Sequence, residues 1–288
     1  MKKLFYLFMV TMCAIAFTAC SDDDNTKDPI DDGNGGEEMI TAVYEPEYEW
    51  DLELNIGTFK EGENITIAWG DGGVSEFTSF ADTDSWGWDR DEELHYAIGQ
   101  GVVEHKYPNY NAHTITIKGK IKEFYCYDVL TKLDVSKCPA LVNLYCGDNN
   151  ISSLDVSKCT ALTELDCGGN NLTSLDVSKN TALTKLWCYH NNLTSLDVTN
   201  NIILIDLSCG NNNLTSLDVS KNTALTYLHC ENNNLSASAL NKIFNDLPQG
   251  KKWNEYGQKK QSTISIGNNP GTNTCDKSIA ENKGWIVW

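Results

Sequence analysis

Positive charge is scarce in this 288-residue sequence, which has 22 Lys and Arg but 40 Asp and Glu. The formal net charge is −18 and the pI is about 4.5. Nucleic-acid phosphates would be repelled rather than neutralised, which excludes nucleic acid as a partner. Charge also disfavours attraction to an anionic membrane surface. Since 41% of the residues are apolar, the chain can still fold around a core, and its length allows about two domains.

Motifs of catalysis and metal binding are missing as well. The histidines share no metal-ligand spacing such as His-Glu-x-x-His, and neither a Gly-x-Ser-x-Gly elbow nor a Walker loop occurs. We therefore predict no catalytic residue, no metal ligand and no cofactor, and we do not expect an enzyme. Two carboxylates that converge in space suffice for a glycosidase, so an enzymatic or accessory role in polysaccharide use stays open as an alternative.

A 21-residue repeat dominates the second half of the chain. Five units begin at leucines spaced by 21 residues: Leu141, Leu162, Leu183, Leu204 and Leu225. An incomplete unit, residues 121–126, precedes them. The units share the pattern Leu-x-x-Leu-x-Cys-x-x-Asn-x-Leu, with Ile151 in the last slot of the first full unit. This pattern resembles the internalin-like leucine-rich repeat with Cys in an aliphatic slot. The resemblance covers residues 121–235 and implies a right-handed solenoid whose short strands pair in parallel.

The repeat explains most of the eleven cysteines. Six recur once per unit and should point inward as small buried side chains: Cys126, Cys146, Cys167, Cys188, Cys209 and Cys230. In-register parallel strands aim their Cβ atoms the same way, which disfavours disulfides between neighbours. Cys138 and Cys159 form a second column, where a disulfide is left open. The recurrent Asn of each unit should bond backbone groups that leave the strand.

The slots on either side of the second Leu vary while the core slots repeat, so packing does not dictate them. They should lie on the concave face of the sheet, since side chains alternate along a strand. The candidate ligand-binding residues in these slots are Tyr125, Tyr145, Asp166, Lys185, Trp187, Tyr227 and His229. Tyr127 and Tyr189, which follow Cys on the same side, are further candidates. Exposed aromatics beside carboxylates suit a glycan or a protein ligand. The alternative is that the aromatics only stabilise the sheet by cross-strand pairing.

The N-terminus has the pattern of a targeting segment. Lys2 and Lys3 precede the apolar residues 4–17, which are too few to span a bilayer. The following Phe-Thr-Ala-Cys ends at Cys20 and resembles a bacterial lipobox, which implies a signal peptide at residues 1–19 and a lipid on Cys20. Residues 20–39 would be this anchor and a disordered acidic tether. The acids after Cys20 resemble the export tag of Bacteroidetes-type surface lipoproteins, which implies a protein anchored in the outer membrane at the cell surface. We expect a monomer.

Residues 40–120 are predicted to form a separate β module. Residues 63–69 and 114–117 alternate as strands, and Gly70-Asp71-Gly72 is a tight-turn signal. Trp69-Gly-Asp-Gly with His105-x-Tyr107 resembles PKD-like, immunoglobulin-like sandwiches of bacterial surface proteins. Between the strands, residues 82–93 partly match a calcium-binding loop. Trp86 stands where a third oxygen ligand belongs, so calcium is left open.

Residues 236–288 are predicted to cap the solenoid, since its last apolar edge must be covered. Residues 237–247 have helical spacing of apolar residues and are followed by Pro248, residues 263–267 read as a strand, and a short helix follows near residues 277–282. The predicted fold class is therefore mainly β with some α: an N-terminal β-sandwich, a leucine-rich repeat solenoid and a C-terminal α/β cap. A surface protein that binds a host protein or a glycan is the favoured function, and a structural envelope spacer without a ligand is the alternative.

Overall fold

The computed structural model describes residues 38–45, 52–58, 60–81, 96–98, 103–127, 130–251 and 261–288. The predicted signal peptide, Cys20, nearly all of the tether and the calcium-like loop lie outside these residues. Within them the protein is mainly β with few helices, and no helix there is long and apolar enough to cross a membrane.

Seven strands precede the repeats and pair with one another in antiparallel fashion. They are β1 (Met39–Tyr44), β2 (Leu52–Thr58), β3 (Asn64–Ala68), β4 (Val74–Ala81), β5 (Tyr96–Ile98), β6 (Val103–His105) and β7 (His113–Lys118). Strands β3 and β7 lie where the alternation of apolar residues predicts them. The turn after β3 bonds Trp69 N–H to the Gly73 carbonyl over 3.0 Å. Gly70 has φ +84° there, and a Cβ on it would lie 2.5 Å from the Thr114 carbonyl oxygen, so only glycine fits.

The repeats form a solenoid of stacked coils, each of which contributes a short strand to one parallel sheet. These strands are β8 (Ile121–Tyr125), β10 (Asn143–Tyr145), β11 (Glu164–Asp166), β12 (Lys185–Trp187), β13 (Asp206–Ser208) and β14 (Tyr227–His229). The first coil also contains β9 (Leu130–Asp134). The central Leu of each strand from β10 to β14 is fully buried, which stabilises the stack by about 1.5–3 kcal/mol per side chain. One coil cannot bury these residues alone, so the repeats depend on one another.

The six repeat cysteines are free thiols and are 0–1% exposed, as the repeat pattern predicts. Cys138 and Cys159 are also free and fully buried in the structure. Burial raises the pKa of each of these two thiols to about 12. The Cys159 Sγ donates instead to the Val135 carbonyl over 3.3 Å. In the next three coils the same slot is filled by the buried Asn180, Asn201 and Asn222.

The N-terminal strands cover the first coil of the solenoid. Strand β2 pairs antiparallel with β8, and β1 pairs antiparallel with β9, so both strands of this coil gain a partner from the preceding module. The buried side chains on the two sides belong to one hydrophobic cluster that runs from Ile40 to Trp285. An exposed apolar end would otherwise remain at the start of the stack.

The residues that suggested a PKD-like module meet in one cluster. The Asp71 carboxylate lies 2.8 Å from His105 Nε2, and this contact lowers the pKa of Asp71. The His105 ring stacks on Trp69 at 4.5 Å between centroids. The Tyr107 hydroxyl donates to the Trp69 carbonyl over 2.9 Å. The motif residues therefore stabilise the turn between β3 and β4 together.

The C-terminal elements close the other end of the stack. Helix α1 (Ala237–Asp246) begins after Ser236, whose side chain accepts from the Ala239 N–H over 3.2 Å. Its buried face is Leu240, Ile243 and Phe244. Strands β15 (Thr263–Ser265) and β16 (Ile286–Val287) extend the parallel sheet, and α2 (Ser278–Glu281) lies between them in sequence. Helices α1 and α2 and strand β15 occupy the predicted segments, with β15 two residues shorter than predicted, whereas β16 was not predicted.

Candidate functional site

The variable slots of the repeats form two columns on one face of the parallel sheet, here called the variable face. The pairing register places one residue of each coil directly beside its counterpart. The central column is Tyr125, Tyr145, Asp166, Trp187, Ser208 and His229. The preceding column is Glu123, Asn143, Glu164, Lys185, Asp206 and Tyr227. All of the candidate ligand-binding residues except Tyr127 and Tyr189 stand in these columns.

At its N-terminal end the variable face is tightly packed. Tyr145 stacks on Tyr125 with centroids 4.5 Å apart and planes 5° apart, and its hydroxyl donates to Glu164. Burial and the Glu164 charge raise the pKa of Tyr145 well above its usual range. Only 9% of Tyr145 is exposed, so little of its surface is available to a ligand. Its packing role is larger than the sequence pattern suggested, in line with cross-strand stabilisation.

Towards the middle of the face the side chains are more open. The Lys185 ammonium forms an ion pair with Glu164 and lies 6.0 Å from the centroid of the Trp187 ring. Trp187 is half-buried and reaches over the intervening strand to Tyr145, with ring centroids 6.3 Å apart. These contacts hold the indole in place, while part of its surface stays accessible. A held aromatic ring loses little conformational entropy when a ligand stacks on it.

Asp166 lies at the floor of this region with 5% of its surface exposed. Its Oδ1 accepts from the Gly168 N–H over 3.0 Å. A Cβ on Gly147 would lie 3.2 Å from the Asp166 carboxylate, and one on Gly168 would lie 2.6 Å from the Tyr189 ring. Glycine at these two positions therefore lets the carboxylate and the phenol ring pack directly on the backbone. Burial, reinforced by the nearby Asp148 carboxylate, raises the pKa of Asp166 to about 6.

An open depression of about 360 Å³ lies over this carboxylate. Its lining residues are Asp166, Trp187, Tyr189, Asp206, Ser208 and His229. The His229 side chain is 46% exposed, and its Nδ1 lies 3.9 Å from Glu231 Oε2. Two carboxylates, two aromatic faces and an imidazole thus surround a space large enough for one ligand group. Among the residues that the structure describes, no group of three or more His, Cys, Asp or Glu could hold a metal ion.

The structure divides the sequence-based candidates into two sets. Asp166, Trp187, Tyr189 and His229 meet at the depression. The others do not line it: Tyr125, Tyr127, Tyr145, Lys185 and Tyr227. The candidate set also lacked Asp206 and Ser208, which do line it. Both stand in the variable columns, so membership of these columns was the signal that could have found them.

The family comparison agrees with the repeat geometry. The model of Leucine Rich repeats (2 copies) matches residues 139–180, which include the whole unit that begins at Leu141 and nearly all of the unit that begins at Leu162. The solenoid is built of leucine-rich repeats. Their strands β10 and β11 lie within the matched stretch, beside the depression. No curated protein matches this sequence.

Several solved structures resemble parts of the leucine-rich repeat chain. The functional domain of InlJ from Listeria monocytogenes, described as including a cysteine ladder, is 32% identical with a TM-score of 0.42 over 57% of this chain and 37% of that one. An internalin, InlF, of the same organism is 17% identical with a TM-score of 0.47 over 58% and 46%. A leucine-rich repeat protein of Leptospira interrogans is 21% identical with a TM-score of 0.41 over 54% and 44%. This chain spans less than half the length of each of these three.

Proposed function

We propose that this chain is a binding protein of the bacterial cell surface, anchored by a lipid on Cys20, whose variable face holds a protein or glycan ligand. One observation carries the proposal. Five side chains from variable slots and Tyr189, which follows Cys188, surround a single depression. The Leu and Cys slots of the same coils, by contrast, repeat almost unchanged. Because packing leaves the variable slots free, selection for a ligand can act on them without loss of the core.

The chemistry of the depression suits a ligand with one flat or apolar surface and several hydrogen-bonding groups. Trp187 and Tyr189 offer ring surfaces, and the carboxylates of Asp166 and Asp206 accept hydrogen bonds or pair with a cation. Aromatic side chains with fixed geometry are the usual anchors of protein interfaces, and they also stack on sugar rings. No residue of the depression needs to be a catalyst for this role.

The proposal is tested with an array of glycans and purified proteins, followed by titration of each array-positive ligand against two variants of the full-length protein. Trp187→Ala should weaken binding by about 1–3 kcal/mol, as loss of an interface anchor does. Trp288→Ala is the matched control, because Trp288 is 67% exposed at the C-terminus and does not line the depression. Equal affinity of both variants for every ligand would contradict the proposed face and move binding elsewhere on the chain. An array without a positive ligand would leave the envelope spacer as the better account.

The proposed anchor and location rest on Cys20 and the preceding apolar segment, so they are tested separately. Cys20→Ala should release soluble, unlipidated protein. Replacement of Asp22, Asp23 and Asp24 by Ala should leave lipidation intact but reduce the fraction that external protease digests on whole cells. Unchanged digestion would remove the export tag from the proposal, and persistent membrane association of Cys20→Ala would remove the lipid anchor.

We further propose that residues 40–120 are a PKD-like sandwich that carries the repeats outward from the tether as a monomer. The contacts of Asp71, His105 and Tyr107 with the Trp69 turn support this assignment. In this arrangement the N-terminal module protects the first coil, and the binding role belongs to the repeats.

A further inference from the structure

One coil departs from its neighbours in a way that packing does not require. On either side of Leu204, where one unit ends and the next begins, three slots hold exposed isoleucines: Ile202, Ile203 and Ile205. The coils on both sides hold Thr, Ala and Thr in these slots: Thr181, Ala182 and Thr184 before it, and Thr223, Ala224 and Thr226 after it. The three isoleucines are 56%, 44% and 39% exposed, and they are half of the six large apolar side chains exposed in the described residues.

Isoleucine in place of threonine removes side-chain hydrogen bonds that the neighbouring coils make. The Thr184 hydroxyl donates to the Thr163 carbonyl over 3.1 Å, and the Thr226 hydroxyl lies 3.4 Å from the Ile205 carbonyl. Ile205 retains the backbone bond to the Thr184 carbonyl but has no hydroxyl to add a second. Three isoleucines in water also lose the free energy that burial of their apolar surface would provide. In the isolated protein these three isoleucines therefore contribute less to stability than the Thr, Ala and Thr of the neighbouring coils.

Charge changes in the same coil. Asn200 stands three residues after Asp197, at a position that holds Lys after each of the four equivalent aspartates: Asp134, Asp155, Asp176 and Asp218. Because Asn200 carries no charge, a ligand that covers this part of the coil does not have to desolvate an ammonium group there. On its other side, Ile205 directly precedes Asp206, which lines the depression together with Asp166. The apolar patch and the acidic depression are thus adjacent in sequence at Ile205 and Asp206.

We infer that the ligand of the variable face is a protein segment that places an apolar side chain on the Ile202–Ile203–Ile205 patch and a basic side chain in the acidic depression. This inference rests on the proposed binding function and names the class of its ligand. A glycan would leave hydroxyl groups desolvated and unpaired against three aliphatic side chains. A second copy of this chain would bring another net charge of −18 to an acidic surface, which opposes self-association.

The test uses a phage-displayed library of random 12-residue peptides on the full-length protein purified in detergent, beside a panel of oligosaccharides. The key variant, Ile202→Thr/Ile203→Ala/Ile205→Thr, carries the residues of the adjacent coils, so its fold should be retained and its melting curve checks this. Selected peptides should combine aliphatic residues with Lys or Arg. Their affinity should fall at least tenfold in the triple variant and in Trp187→Ala.

A relocated patch is the matched control. The triple variant with Thr181→Ile/Ala182→Ile/Thr184→Ile added has the same apolar area one coil earlier, and it should not recover binding. Recovery would overturn the inference, because any apolar patch would then suffice. A wild-type dimer that the triple variant dissociates, seen by sedimentation, would overturn it in favour of a second copy.

The remaining outcomes separate this inference from the proposed function. Oligosaccharide binding that depends on Trp187 but not on the isoleucines would overturn the protein ligand and retain the binding function. If no peptide or oligosaccharide binds with an affinity that changes in Trp187→Ala, the proposed face and the inference fail together.

Discussion

The side-chain amide of Asn170 donates to the carbonyl oxygen of Cys146, in the preceding coil, over 2.8 Å. The same side chain accepts from the Ile151 N–H over 2.9 Å, so one residue satisfies a donor and an acceptor of a neighbouring coil. Four further asparagines repeat this arrangement: Asn149, Asn191, Asn212 and Asn233. Since buried backbone groups must be paired, this ladder holds the stack together where the strands end.

Asn170→Ala is expected to destabilise the protein by about 1–3 kcal/mol, because it leaves the Ile151 N–H buried without its partner. It also removes one of the two side-chain amides that donate to the Cys146 carbonyl, the other being that of Asn149. Denaturant unfolding measures the loss. Asn171→Ala is the control, since Asn171 is exposed in the same coil and should change the midpoint little. Similar midpoints for the two variants would show that the ladder adds little to stability.

The buried carboxyl of Asp166 makes stability depend on pH. Its pKa of about 6 lies above the value near 3.9 of an unfolded chain, so the folded state binds this proton more tightly. Protonated Asp166 therefore adds up to about 3 kcal/mol to the free energy of unfolding. This contribution is fully present below about pH 4 and is lost as the pH rises through 6. Asp166→Asn should therefore stabilise the protein at pH 7.5, and the gain should shrink towards pH 4.5.

Thermal unfolding at the two pH values tests this expectation. Asp176→Asn is the control, because hydrogen bonds from Ser178 lower the pKa of the Asp176 carboxyl, which reverses the sign, and no stabilisation is expected at pH 7.5. A gain for Asp166→Asn that is equal at both pH values would mean that the buried charge is not its source.

Thiol labelling should distinguish Cys275 from the repeat cysteines. Cys275 is partly exposed, whereas the other eight thiols in the described residues are buried, and burial raises the pKa of those in the core. Because the thiolate is the reactive form, a maleimide should label Cys275 first and the repeat thiols only after denaturation. Cys275→Ser should remove the fast phase. Detection of a Cys167–Cys188 disulfide by mass spectrometry of folded protein would contradict the free, inward column.

Leu165→Asp tests the core assignment of the repeat. Leu165 is fully buried, so the substitution places an unpaired charge among aliphatic side chains, and we expect a loss of about 4 kcal/mol or more in the free energy of unfolding. Thr173→Asp, at an exposed position of the same coil, serves as the control. Melting of Leu165→Asp at the wild-type temperature would refute the inward position of this leucine.

The 21-residue period by itself determined the solenoid, its buried Leu and Cys columns and the register of the variable columns. The physical reason is that every coil meets a copy of itself, so the position of a residue within the period decides its neighbours. The cap elements were also predictable, since α1 has its apolar residues at helical spacing and a capping Ser236. The sequence was sufficient to predict structure wherever the neighbours of a residue recur with the period or lie within a few residues of it in the chain.

Only the tertiary structure decided what depends on contacts between different parts of the chain. Asn269 of the cap donates to the Cys230 carbonyl over 2.9 Å and so continues the Asn ladder beyond the last repeat, with no periodic signal to mark it. The burial of Tyr145 under Tyr125 and Glu164 depends on which side chains adjacent coils supply. The depression exists because Gly147 and Gly168 let Asp166 and Tyr189 lie against the backbone, and no single coil contains all of these residues.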